Sequence, residues 1–246
     1  MAQNIYDDPA FFEGYSQLRR SIEGLVGAPE WPALQAQLPE LRGRRVIDLG
    51  CGYGWFCRYA RMQGAADVVG VDVSEKMLER ARATTQDEGI AYVRADLDQF
   101  EPEQAAFDLV YSSLTLHYLD DLPGLLAKVH RALVPGGRLL FSVEHPIYTA
   151  PAHPGWSSDV DGRKTWPVNG YQSEGPRVTH WFAPGVRKVH RTLGTYLNGL
   201  IAAGFRIAHV EEWGPSDAQV AQTPALEEER ERPMLLLVAA QRPDRG

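Results

Sequence analysis

From Arg45 onward, short apolar runs alternate with helical patterns. The runs are Val46-Ile47-Asp48-Leu49, Val68-Val69-Gly70-Val71, Ala91-Tyr92-Val93, Phe107-Asp108-Leu109-Val110-Tyr111 and Arg138-Leu139-Leu140-Phe141-Ser142-Val143. Strands this continuously apolar are buried on both faces, and helices between them supply the right-handed crossovers of a parallel sheet. The pattern predicts a doubly wound, Rossmann-like α/β fold. Ser74 is placed to cap a helix over Glu75–Thr84, and Pro123 opens one carrying Leu125, Leu126, Val129 and Leu133, which Pro135-Gly136-Gly137 should stop. A later helix over Thr192–Ala203, a strand from Phe205 to Glu212 and a last strand from Met234 complete the sheet.

Before Arg45 the pattern is helical. Asp8 followed by Pro9 reads as a capped helix start, with Phe11, Phe12, Tyr15 and Leu18 on one face and Arg19-Arg20 at its end. A Gly- and Pro-rich loop leads to a second helix around Leu34–Leu41. Between His145 and Val189 the periodicity breaks, yet this stretch holds Tyr148, Trp156, Trp166, Tyr171, Trp181 and Phe182. Disordered segments are poor in aromatics, so an ordered cap over the sheet is expected. Tyr148, Trp156, Trp166 and Trp181 are expected to form the core of that cap, a cage for a bound molecule being the alternative and one or two of them serving both. One domain over 1–246 follows: an N-terminal helical cover (1–44), a core (45–144), a substrate cap (145–189) and the C-terminal part of the sheet (190–246).

The chain has 246 residues, 44% of them hydrophobic, and its 25 Lys+Arg against 32 Asp+Glu leave a net charge of −7. This balance argues against a protein whose affinity comes from neutralising nucleic-acid phosphates. The two cysteines, Cys51 and Cys57, have no zinc-type spacing and read as reduced thiols, with no metal site expected. The start, Met1 to Asp8, has neither a basic region nor an apolar stretch, and the longest clean apolar run, Met234–Ala240, is far short of the ~20 residues a membrane helix needs. The expectation is a cytoplasmic protein, monomer or homodimer, with no membrane partner.

The chemistry concentrates in Val46-Ile47-Asp48-Leu49-Gly50-Cys51-Gly52-Tyr53-Gly54-Trp55, a strand running into a glycine turn and then a helix. Open α/β sheets bind ligands at this edge. Asp72, twenty positions after Gly52, ends the next strand, where a carboxylate can accept both hydroxyls of a ribose or cap the helix after it. A nicotinamide fingerprint needs G-x-G-x-x-G. Here Trp55 stands at the third dinucleotide glycine, and Asp48 before the turn would repel a pyrophosphate while suiting an ammonium. The ligand expected is a nucleoside with an amino-acid arm, and a nicotinamide-dependent oxidoreductase is the weaker alternative.

With these residues in order, the sequence resembles the class I S-adenosylmethionine (SAM) dependent methyltransferases of small-molecule type. The resemblance rests on Asp48–Gly54, Val69–Ser74, Ala95-Asp96-Leu97, Phe107–Ser113 and Leu133–Leu139. It implies a seven-stranded sheet with an antiparallel last strand and SAM as cofactor. It makes Asp72 the ribose-binding acid and gives Asp48, Gly50, Cys51, Gly52, Val73 and Met77 as further cofactor contacts. Asp96 and Leu97 then lie at the adenine, with Ser112 at the end of strand four. An N-terminal helix would lie over the cofactor carboxylate, offering Tyr6, Tyr15 and Arg19 or Arg20, with Tyr15 and Arg19 taken as the contacts. His145, leaving strand five, is the candidate general base or substrate-orienting group, with local packing as the alternative role. His117 is the candidate wall of the methyl-transfer pocket. The expected function is methyl transfer to a small-molecule acceptor, against a non-catalytic SAM-binding regulatory module.

Overall fold

The computed structural model describes residues 3–244, so the outermost two positions at each end of the expected 1–246 domain lie outside the described residues. Three short helices come first: α1 (Pro9–Ser16), α2 (Arg19–Ile22) and α3 (Trp31–Ala36). Asp8 caps α1 by accepting from the Phe11 amide at 2.9 Å, with Pro9 in the first turn where its missing N–H costs nothing. Arg19 and Arg20 do not close α1. The chain turns extended at Leu18 and the two arginines open α2, while α3 ends before Pro39, short of the expected Leu41.

The core then runs β1 (Arg45–Leu49), α4 (Trp55–Met62), β2 (Asp67–Asp72), α5 (Glu75–Ala83), β3 (Ile90–Arg94), β4 (Phe107–Ser113), α6 (Leu122–Ala132) and β5 (Leu133–Glu144). Ser74 caps α5 through the Met77 amide, and Asp121 caps α6 through the Gly124 amide. Pro135-Gly136-Gly137 does not stop α6. The chain is already extended at Leu133, and the proline and glycines lie within β5, whose pairing with β4 shifts register between Phe107 and Leu109.

After β5 come α7 (Pro146–Thr149), a ribbon of β6 (Ser157–Ser158) and β7 (Lys164–Thr165), and a longer ribbon of β8 (Gly175–Trp181) and β9 (Ala183–His190). α8 (Leu193–Ala202), β10 (Arg206–Trp213), α9 (Asp217–Gln222), α10 (Glu228–Glu231) and β11 (Leu235–Gln241) finish the chain. The seven-stranded sheet has the order β3-β2-β1-β4-β5-β11-β10, and β11 runs antiparallel to both neighbours. Among the described residues no helix is long and apolar enough to cross a membrane.

Alternation along each strand feeds two cores. Leu109 and Tyr111 of β4, with Leu235 and Leu237 of β11, pack with α3 and α4, whereas Val110, Leu236 and Val238 pack with α6 and α8. A third, smaller cluster joins the N-terminal cover to the long ribbon: Phe11, fully buried, packs with Ala183 and Val186 beside Tyr6, Tyr15, Tyr118 and Trp181. The cover and the ribbon thus meet over the carboxyl edge of the sheet.

Candidate functional site

The carboxyl ends of β1, β2, β4 and β5 open into a cleft of about 750 Å³. Its floor is the glycine turn. Gly50, Gly52 and Gly54 take φ of +80°, +50° and +71°, a left-handed backbone that side chains resist. A Cβ on Gly50 would overlap the Thr115 side chain, whereas one on Gly52 would meet nothing within 4 Å, so the backbone there faces open space. α4 starts at Gly54 without a side-chain cap. Its first amides are left for a ligand or solvent.

Asp72 is held at this turn by two bonds, accepting from the Gly52 amide at 2.9 Å and from the Ser74 amide at 2.9 Å. Burial pushes its carboxyl up, and these amide bonds oppose that. Asp48, also buried and lining the cleft, accepts a long 3.5 Å bond from the Cys57 thiol, a weak donor. Burial, reinforced by the charge of Asp72 and opposed by the thiol, pushes Asp48 up to about 8. A buried carboxyl in this state is satisfied by a cation. The α-ammonium of a SAM methionine arm supplies one, Asp72 suits the ribose diol, and Asp96 and Leu97 line the next stretch of the same cleft. The residues present therefore fit the cofactor.

Val73, Met77, Cys51, Tyr15 and His117 line the cleft as well. Three expected residues do not. Arg19 is two-thirds exposed and pairs with Glu23, because its position in α2 turns it outward; Arg20, one residue on, lines the cleft and forks onto Glu30 at 3.0 and 3.1 Å. Ser112 is buried beneath the floor and donates to the Leu49 carbonyl at 2.7 Å, while Ser113 reaches the lining. His145 faces away: its Nδ1 caps α7 by accepting from the Ile147 amide, and its Nε2 meets Glu212 of β10 at 2.9 Å. Its role in this geometry is to fasten α7 to the sheet.

Glu144, the residue before it, points into the cleft instead. Its Oε1 accepts from Lys188 Nζ of β9, and its Oε2 is buried with no hydrogen-bond partner. His117 stands beside it, its Nδ1 accepting from the Glu144 amide at 3.3 Å, which assigns the ring proton to Nε2. Burial lowers His117 to about 4, so it is neutral at pH 7 and a poor base. The period of two would have found Glu144. Ser142 and Glu144 share one face of β5, and Ser142 Oγ meets Ser113 Oγ at 3.1 Å.

Three of the aromatics after β5, Tyr148, Trp156 and Trp166, surround a cation rather than only each other. The Arg232 guanidinium lies 4.1 Å from the Trp166 ring centroid, 4.6 Å from Tyr148 and 5.4 Å from Trp156, and its Nη2 donates to Glu229 at 3.0 Å. Arg232 and Lys188 carried no sequence signal, since neither sits in a motif.

The comparisons with known proteins agree with this geometry. A family profile described as a methyltransferase domain matches residues 47–141. A solved S-adenosylmethionine dependent methyltransferase from Mesorhizobium loti is 60% identical, with 89% of this chain and 100% of that one covered and a TM-score of 0.86. An uncharacterised Haemophilus influenzae protein is 37% identical over 217 residues, 85% of each chain. A malonyl-[acyl-carrier protein] O-methyltransferase of Enterobacter lignolyticus is 41% identical over 110 residues, which span 45% of this chain and 43% of that protein. A glycine turn lined by Asp48 and Asp72, on a seven-stranded sheet of this order, together with these matches, establishes that the chain belongs to the S-adenosylmethionine-dependent methyltransferases.

Proposed function

We propose that this methyltransferase acts on a small molecule enclosed between the sheet edge, the N-terminal cover and the cap. The observation that carries the reading is Glu144: a carboxylate with one oxygen held by Lys188 and the other buried in the cleft without a partner. SAM, when bound, supplies an already activated methyl on its sulfonium, and in-line displacement by the acceptor needs alignment above all.

The chain's own residues provide the rest. Asp48 faces the ammonium and Asp72, pinned by Gly52 and Ser74, the ribose hydroxyls. Glu144 Oε2 accepts the proton-bearing N–H or O–H of the acceptor and takes that proton as the new bond forms. Lys188 keeps Glu144 aimed, and His117 Nε2–H donates to the acceptor from the side. Tyr6 contacts both Tyr15 and Tyr118 edge to face, Trp181 stands edge-on to Tyr15, and together these rings exclude water.

The test is a turnover screen with methyl-labelled SAM against a metabolite library, on the wild type and Glu144→Gln. The reading expects a labelled product and a fall of about 10²–10⁴ in kcat for the variant with SAM affinity retained. SAM binding without any labelled product from the library would favour a regulatory module. A Glu144→Gln enzyme as fast as wild type would remove the base.

A further inference from the structure

Arg232 is nine-tenths and more buried, at 3% exposure, and lines the cleft. Its guanidinium stays charged at any working pH and carries five N–H donors. Only Nη2 has an acceptor, from Glu229; Nε and Nη1 are buried with no hydrogen-bond partner. The rings of Trp166, Tyr148 and Trp156 attract the charge through their faces but hold no lone pair in the plane of the guanidinium. They fix the group in place and leave its donors unused.

The charges along the cleft are also segregated. Asp48, Asp72, Asp96 and Glu30 on the cofactor side outnumber Arg20, whereas on the cap side Arg177, Lys188 and Arg232 face Glu144. Arg232 enters the cleft just before the strand that pairs with the proposed base: Leu235, three residues on, pairs with Glu144 across β11 and β5, and the Met234 carbonyl accepts from the His145 amide at 2.7 Å. Tyr148, whose ring lies 4.6 Å from the Arg232 guanidinium, lines the same cleft as Glu144. An anion at Arg232 and a proton-bearing group at Glu144 therefore belong to one bound molecule.

We infer that Arg232 is the anion-binding end of the acceptor site, so that the methyl acceptor is a small acid carrying a carboxylate or phosphate at one end and the methylated group at the other. This rests on the methyl-transfer reading for its meaning, but the anion site is measurable without turnover.

The experiment titrates protein saturated with S-adenosylhomocysteine, following tryptophan fluorescence from Trp156 and Trp166. The probes are benzoate against benzamide, succinate against succinamide, and inorganic phosphate. At least one anion should bind tenfold or more tightly than the neutral amides. Arg232→Met should erase that preference while SAM affinity stays within twofold, and Glu229→Gln, which removes the competing carboxylate, should tighten anion binding severalfold. Carboxylates binding ahead of phosphate would name a carboxylic acid, and the reverse order a phosphate ester. Amides binding as well as acids, or a preference that survives Arg232→Met, would overturn the inference. If Arg232→Met fails to fold, the wild-type preference and the Glu229→Gln gain decide, both being required. Loss of SAM binding or of turnover in the labelled screen instead strikes the methyl-transfer reading and leaves the anion result standing.

Discussion

Asp48 shows how one buried carboxyl couples folding to ligand binding. Its folded value of about 8 stands above the ordinary 3.8, so the folded chain holds this proton more tightly than the unfolded one. The stability it lends is fully present below pH ~4, declines as pH rises toward about 8, and is gone above that. Asp48→Asn removes the decline. In the ligand-free protein, thermal melts should show the variant gaining on wild type between pH 4 and 8 and holding a constant lead above, with ~2–4 °C for each kcal/mol recovered. SAM reverses the sign, because an ammonium favours the ionised acid. Calorimetry in buffers of different ionisation heat should therefore show proton release on SAM binding below pH 8, and affinity rising with pH up to that point. Asp48→Asn should bind SAM more weakly and without this pH dependence. At the acceptor end, His145→Ala should leave kcat within a fewfold of wild type, since its ring bonds Ile147 and Glu212 outside the cleft, and should instead lower Tm.

At the level of elements, the sheet was legible because its central strands β1, β4, β5 and β11 are buried on both faces and so write continuous apolar runs, whereas the edge strands β3 and β10 are largely exposed. The glycine turn was legible because a left-handed backbone at Gly50 and Gly54 admits few other residues. The long ribbon was not. β8 alternates half-buried with exposed positions and contains no fully buried residue, so Arg177, Val178, Thr179 and His180 write no apolar signature. Glu144 was hidden for a related reason: it stands next to a histidine in sequence, and only the opposite faces the two take at the end of β5 separate them. Contacts between distant elements were equally invisible. Gly14 of α1 has its Cβ direction 2.6 Å from Phe182 Cδ1, so α1 seats on the turn of the ribbon only because residue 14 has no side chain. Gly14→Val should lift that contact and weaken both acceptor and SAM binding, the acceptor more, measured by separate titrations. Within the sheet, Leu236, fully buried on β11, should cost about 2–5 kcal/mol as Leu236→Ala in chemical denaturation.

For the whole molecule, the acids that produce the net −7 include Asp48, Asp72 and Asp96 on one side of a single cleft, while Lys188 and Arg232 stand on the other. Ligand at 100 times its Kd should stabilise the fold by about 2.7 kcal/mol, a rise in Tm of roughly 5–10 °C, and a thermal shift assay with SAM checks this. Because the cleft is lined by both the cover and the cap, which are far apart in sequence and meet at Phe11 and Val186, SAM and acceptor should protect the Phe11 and Val186 amides from hydrogen exchange together. The same pairing bears on how the chain is made. Phe11 leaves the ribosome early, yet its partners Trp181, Ala183 and Val186 follow some 170 residues later. Throughout that interval the aromatic face of α1 is naked, and it is the face on which a nascent-chain chaperone would act; a protein made with the cover moved to the C-terminus should fold with less need of one.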